Sequence, residues 1–314
     1  MKATTRSIKF NELISTNPRL ASIEYIKSRE REAILVVSNC HMFGIVSAMQ
    51  SVTDEYEIVG IPIGEVDGKV DDYYRDQFGL YRHLFLLPRL RRLADFAEFK
   101  GKVSLLPSIH FEGYHPDSVY VTKNGKLTDS PMGGYHSCII FAAFSTGRTE
   151  EETAGLFRED FFRAAGYFKH WQAAKAALFT HSKEVGFPVE DHFYRWCAEG
   201  TFMHTINHPK IRVLIDVGLD ALRRIGCTAN GDPDSVADQL SNAPVYPVYP
   251  ELAAAIGAKG SYRFKPFGTN ETLSLGDYIK LSFESYRSAG EAELKIYEQH
   301  LARYNAVSAL IQQH

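Results

Sequence analysis

Paired cysteines are missing from this sequence. Its four cysteines, Cys40, Cys138, Cys197 and Cys227, lie far apart with no CxxC pair, which argues for reduced thiols. Long apolar runs are missing too: none approaches the roughly 18 residues a membrane span needs, and the start Met1-Lys2-Ala3-Thr4-Thr5-Arg6 leads into no apolar signal core. Together these absences predict a reduced, cytoplasmic protein with no membrane span. Neither sign of charge is in excess. A formal net charge of -3 gives no global pull toward nucleic acid or an anionic membrane. No repeat, low-complexity tract or Pro/Gly/Ser-rich linker divides the chain.

What remains is ordinary globular composition, 45% hydrophobic and 23% charged over 314 residues, enough for a substantial core. Residues 1–32 are polar and basic and read as a helical or irregular lead-in. Ala33-Ile34-Leu35-Val36-Val37 then reads as a buried strand that opens through Ser38-Asn39-Cys40-His41 into a helical pattern over 42–50. A thiol at a strand-to-helix turn faces the unpaired N–H groups and positive dipole end of the helix. That position predicts a lowered pKa, a partly ionised Cys40 and covalent chemistry through it. Burial as a packing residue is the plainer alternative for any lone cysteine. Residues 57–63 read as a second strand parallel to the first, with Pro62 at an edge or end. The spacing of Leu84, Leu87, Leu90, Leu93 and Phe96 predicts a helix whose outer face carries Arg89, Arg91 and Arg92, and guanidinium forks match phosphate oxygens.

Residues 103–107 read as another short strand. The loop after it, Ser108-Ile109-His110-Phe111-Glu112-Gly113-Tyr114-His115-Pro116-Asp117, is dense in ionisable and aromatic groups. Pro116 holds His115 extended, so His115 and Asp117 suggest a base and its orienting carboxylate. Reading His110, His115 and Asp117 as metal ligands matches no zinc spacing. Further on, Thr149-x-x-Glu152 and Ser274-x-x-Asp277 are capping boxes. Helices are expected over 152–185 (two), 191–206, a stretch ending at Gly226, and a long final segment. The polar group Asn207-His208-Pro209 repeats the histidine-before-proline arrangement. The shift from strand-like to helical content suggests an α/β portion over 1–150 and a helical portion over 151–314 packed against it, or one single domain.

Val37-Ser38-Asn39-Cys40-His41, Phe111-Glu112-Gly113-Tyr114-His115-Pro116-Asp117, Tyr135-His136-Ser137 and Asn207-His208-Pro209, in that order, resemble the WcbI family of capsular-polysaccharide biosynthesis proteins. Ser38 and His41 depart from the family's usual Gly-Asn-Cys-Gln turn. The resemblance implies a predominantly helical α/β fold with a small, mostly parallel sheet in the N-terminal half. It also implies a coenzyme A-dependent O-acetyltransferase that acetylates a sugar hydroxyl. In that reading Cys40, His41, His115, Asp117, Asn207 and His208 form the catalytic set. Asn39, Arg89, Arg91, Arg92, Tyr135 and His136 contact coenzyme A or acetyl-CoA, and no metal is required. The acceptor is a sugar nucleotide, a lipid-linked saccharide or a polymer, with Tyr114 and Tyr135 as stacking surfaces and capsule assembly machinery as a partner. A looser similarity to SGNH-type esterases leaves a deacylase as the alternative, and a non-catalytic sugar-binding role as a third.

Overall fold

The structure, a computed structural model, describes residues 30–66, 72–290 and 293–313, so the lead-in expected over 1–32 lies almost wholly outside the described residues. Half of the described residues are helical, around a four-stranded parallel sheet in the N-terminal half and with a helical C-terminus, as expected. The central strand β1 (Ala33–Ser38) is buried along its whole length. It pairs in parallel with β2 (Glu57–Pro62) on one edge and β3 (His83–Leu86) on the other, while β4 (Val103–Leu105) extends the sheet beyond β3 to give the order β2-β1-β3-β4. A strand bonded on both edges and covered on both faces has no solvent side, hence its unbroken apolar run. Pro62 closes the edge strand, where its missing N–H costs little.

Alternation along the strands sorts their side chains. Leu35, Val37, Val59, Ile61, Leu84 and Leu86 join Phe78, Leu90, Leu93 and Phe99 in one apolar cluster. The other face is covered by helix α1 (Met42–Val52), whose Met42 and Val46 lie against Gly60 of β2. Helix α2 (Ile211–Arg224) packs on α1 in the same direction: Gly44 meets Ile211 and Leu214, and Gly218 meets Ile45, Ala48 and Met49. This close approach depends on glycine. A Cβ on Gly44 would stand 2.4 Å from Leu214 Cδ1.

The helix expected across 84–96 is instead β3 followed by a 3₁₀ helix over Pro88–Asp95. The reason lies in the leucine spacing. A strict interval of three is the eclipsed stripe of a 3₁₀ helix, and Leu90 and Leu93 turn inward while Arg89, Arg91 and Arg92 stay exposed.

In the second half both capping boxes form, at Thr149/Glu152 and Ser274/Asp277. Helices occupy Glu150–Ala154, Glu159–Ala164 and His170–Glu184. The segment expected to be helical over 191–206 stops at Ala198 and returns as a short strand, Met203–Thr205. The final helix is Leu301–Gln313. It packs, with Leu275–Ala289, against Cys138–Ser145, which is apolar on every side and correspondingly buried.

The chain divides into two compact units, neither continuous in sequence. The first comprises 1–109, 179–196 and 209–240, and the second 110–178, 197–208 and 241–314. Position 150, where the composition shifts, falls inside the second unit and not at a division.

Gly44→Ala should destabilise the first unit by about 1–3 kcal/mol, because the added methyl forces Leu214 and Ile211 off their packing positions. Urea denaturation checks this, and an unchanged midpoint would mean that the α1–α2 contact has slack.

Candidate functional site

In the first unit the connection from β1 goes to β2 on one edge, and the next connection returns across to β3 on the other. The carboxyl end of β1 is therefore a topological switch point, where open parallel sheets leave a ligand-sized crevice. Asn39, Cys40 and His41 occupy it. Asn39 Oδ1 accepts from the His41 N–H at 3.0 Å and the Asn39 carbonyl from the Met42 N–H at 3.0 Å. Asn39 thus spends its oxygens on the turn and keeps its Nδ2 as a donor. No side chain caps α1, and its first turn carries no acidic residue.

Neighbouring groups add to the positive character of this end. Leu87 N–H bonds the Val37 carbonyl at 3.2 Å, so the chain leaves β3 beside the Cys40 turn and enters the segment bearing Arg89, Arg91 and Arg92. Because α2 runs alongside α1, its N-terminus lies at this end too, preceded by half-buried Lys210. Each helix start contributes roughly half a positive charge, although Asp238, accepting from the Ile211 N–H at 3.2 Å, offsets part of that at α2. The Ser38 hydroxyl, at the last position of β1, is buried without a hydrogen-bond partner. Ser38 and Lys210 are the candidates that sequence reasoning missed. Only packing of α2, some 170 residues downstream, reveals the second, and a serine ending a strand carries no signal of its own.

The expectation of an ionised Cys40 is corrected here. Burial pushes its thiol up to about 11, outweighing the backbone N–H groups of Cys40 and His41 that favour the thiolate. The donors expected at the turn are present. Desolvation wins, and at neutral pH only about one thiol in ten thousand is ionised.

In the second unit, His115 and Asp117 do not form a pair. Asp117 is 1% exposed. Its Oδ1 accepts from Tyr167 Oη at 2.7 Å and the Ile139 N–H at 3.0 Å, and its Oδ2 from Tyr249 Oη at 2.7 Å. Burial raises its pKa against the pull of Ser137 and of these donors. The two tyrosine rings flank Phe162, stacked at 5.8 and 5.5 Å, so Asp117 anchors an aromatic core. His115, also buried, donates from Nε2 to the Tyr246 carbonyl at 2.9 Å. His110 turns to Glu112 at 3.2 Å, so the fold does not converge His110, His115 and Asp117 on a metal position. Among the described residues no group of three potential ligands does so.

Glu112 is held by Arg303 from the final helix, which also donates to the Ser118 carbonyl at 3.0 Å and so ties both ends of the 112–118 loop. Burial would raise Glu112, but the His110 hydrogen bond and the Arg303 charge bring it to about 2. His136 is enclosed, with Nδ1 on Tyr286 Oη and Nε2 on the Thr128 carbonyl, both at 3.0 Å. It has no ring nitrogen left for a cofactor. Tyr114 and Tyr135, expected to stack on a sugar, are 2% and 6% exposed. Tyr114 packs among Phe111, Trp171 and Phe202.

Three of the expected site residues do come together. Tyr135 Oη donates to Asn207 Oδ1 and lies 3.5 Å from His208 Nε2, while Thr205 Oγ1 donates to the same Asn207 oxygen at 3.2 Å. Burial, with His204 nearby, lowers His208 to about 4, so its ring is neutral at pH 7. Its Nδ1 is buried with no partner.

The sequence model of the WcbI polysaccharide biosynthesis enzymes matches residues 33–230. A solved structure of WcbI is described as a novel polysaccharide biosynthesis enzyme, as the native protein without a disulfide bond between coenzyme A and one of its cysteines. It superposes with a TM-score of 0.61 at 15% identity, over 90% of this chain and 98% of that one, a likeness of fold. No curated protein matches the sequence.

The Glu112 clasp should make stability pH-dependent. A carboxylate held near 2 when folded and near 4.5 when unfolded contributes about 3 kcal/mol above pH 5, lost as pH falls through that window. Glu112→Gln should therefore unfold at lower urea than wild type at pH 7 but at nearly the same urea at pH 2. A constant difference across the range would remove Glu112 from this role.

Proposed function

Because the chain belongs to the WcbI family of polysaccharide biosynthesis enzymes, we propose that it is a coenzyme A-dependent O-acetyltransferase acting on a sugar hydroxyl in capsular polysaccharide assembly. The observation that carries this reading is the Cys40 turn: an uncapped helix start at the switch point of a parallel sheet, with Arg89, Arg91 and Arg92 on the adjoining segment. Acetyl-CoA combines a polyphosphate with a thioester carbonyl that becomes an oxyanion during transfer. Helix N-termini and guanidinium groups suit the first, and preorganised N–H donors suit the second. The coenzyme A named with the WcbI structure supports the same choice of donor.

The donor half of the reaction is assigned to the first unit. There the backbone N–H of Cys40, with Asn39 Nδ2, polarises the acetyl carbonyl, and the arginines hold phosphates, while the His41 N–H stays on Asn39 Oδ1 and fixes the turn. Within the second unit, His208 is neutral at pH 7 and replaces His115 as the preferred candidate base, since the His115 Nε2 is committed to a backbone carbonyl. A sugar hydroxyl gives its proton to a general base as its oxygen attacks the acetyl carbon. The carbon–sulfur bond then breaks, and the coenzyme A thiolate recovers the proton. Direct transfer suits a Cys40 thiol that is protonated at neutral pH. The acceptor is a sugar nucleotide, a lipid-linked saccharide or a polymer, and the reaction runs in the cytoplasm, where acetyl-CoA is available.

Coenzyme A at a hundred times its Kd should stabilise the protein by about 2.7 kcal/mol, read as a rise in Tm. Replacing Arg89, Arg91 and Arg92 together by Ala should weaken coenzyme A more than dephospho-coenzyme A. No thermal response at millimolar ligand, or acyl-ester turnover without coenzyme A, would favour the SGNH-like deacylase instead.

Intact-mass analysis separates the chemical routes. Direct transfer leaves no acetyl group on the protein after incubation with acetyl-CoA at pH 7, and Cys40→Ala keeps most of the rate because the N–H donors are main-chain. A single acetyl addition that disappears in Cys40→Ala would reinstate the covalent route.

A further inference from the structure

We propose that Tyr135 and Asn207 are positioning residues that hold His208 in its Nε2–H tautomer, so that Nδ1 is the atom that takes a proton from a hydroxyl-bearing acceptor. The inference deepens the transferase reading and rests on it for the identity of the acceptor. The tautomer itself follows from hydrogen-bond accounting within the second unit.

Asn207 Oδ1 can only accept, and it takes the Tyr135 hydroxyl proton as well as the Thr205 hydroxyl at 3.2 Å. A phenol has one proton. With that proton spent on Asn207, the Tyr135 oxygen can face His208 Nε2, 3.5 Å away, only as an acceptor. The neutral imidazole then carries hydrogen on Nε2 and a lone pair on Nδ1. The rings meet edge to face at 5.8 Å, and Tyr120 backs Tyr135 at the same separation, which restrains the tyrosine from turning away.

His208 Nδ1 is buried and has no hydrogen-bond partner. An unsatisfied buried acceptor costs about 1–3 kcal/mol, and the Tyr135 and Thr205 hydroxyls both donate to Asn207. A lone pair kept this way suits a ligand that donates, which an alcohol does and a phosphate or carboxylate does not. An alcohol bound there donates its hydroxyl proton to Nδ1. The Nε2 proton stays toward Tyr135 throughout.

Long-range ¹H–¹⁵N correlation spectra of histidine-labelled protein test this directly, with the His208 signals assigned by their loss in His208→Gln. The wild type should show a protonated Nε2 and an unprotonated Nδ1. Asn207→Ala frees the Tyr135 proton to bond Nε2, so the tautomer should invert, whereas Asn207→Asp retains an acceptor and the wild-type pattern. Tyr135→Phe should give a mixture of tautomers and lower kcat by about a hundredfold, with the KM for acetyl-CoA unchanged. An Nδ1–H form in the wild type, or one pattern in all variants, would overturn the assignment. Expected tautomers in a protein without transferase activity would overturn the function and leave the positioning intact.

Discussion

A parallel strand hydrogen-bonded on both edges can be neither polar nor exposed anywhere along its length, and β1 is under that constraint. Its chain must leave by a crossover helix, and its two neighbours must be reached by crossovers to opposite sides. The crevice at its carboxyl end follows from that topology. So does the crowding of α1 onto β2 at Gly60 and of α2 onto α1 at Gly44 and Gly218. The same constraint explains why Cys40 is a poor thiolate: a turn sunk between covered strands gains main-chain donors and loses water at once, and loss of water has the larger effect.

The second unit meets the opposite problem, that of placing polar groups in an aromatic interior. Asp117 does so by taking two tyrosine hydroxyls and a main-chain N–H. Glu112 and Arg303 satisfy each other and secure the same loop from its outer end. Much of the polar chemistry of that loop is thus taken up in support, and His208 Nδ1 is among the buried nitrogens with no hydrogen-bond partner.

Local features were legible in the sequence where the physics is local. The Cys40 strand–turn–helix, both capping boxes, the parallel β1–β2 pair and the terminal position of Pro62 depend on residues within a few positions of one another. The leucine interval of three was visible, but separating a 3₁₀ helix from an α-helix needed β3, whose four residues are fixed by pairing with β1 and β4. Partner choice was not legible. Asp117 follows His115 by two positions, yet its hydroxyl donors lie 50 and 132 residues away. Tyr135 reaches Asn207 across 72. Burial of Tyr114, Tyr135 and His136 likewise depends on chain that composes no motif with them.

The interleaving of the two units bears on how the polypeptide is made. The chain passes from one unit to the other at 109/110, 178/179, 196/197, 208/209 and 240/241. Helix α2, which covers α1, is among the later pieces to emerge from the ribosome. Until then the flank of α1 around Gly44 and Ala48 lacks the helix that covers it in the folded chain. The Cys40 turn is thus translated early, and the helix that covers α1 follows late.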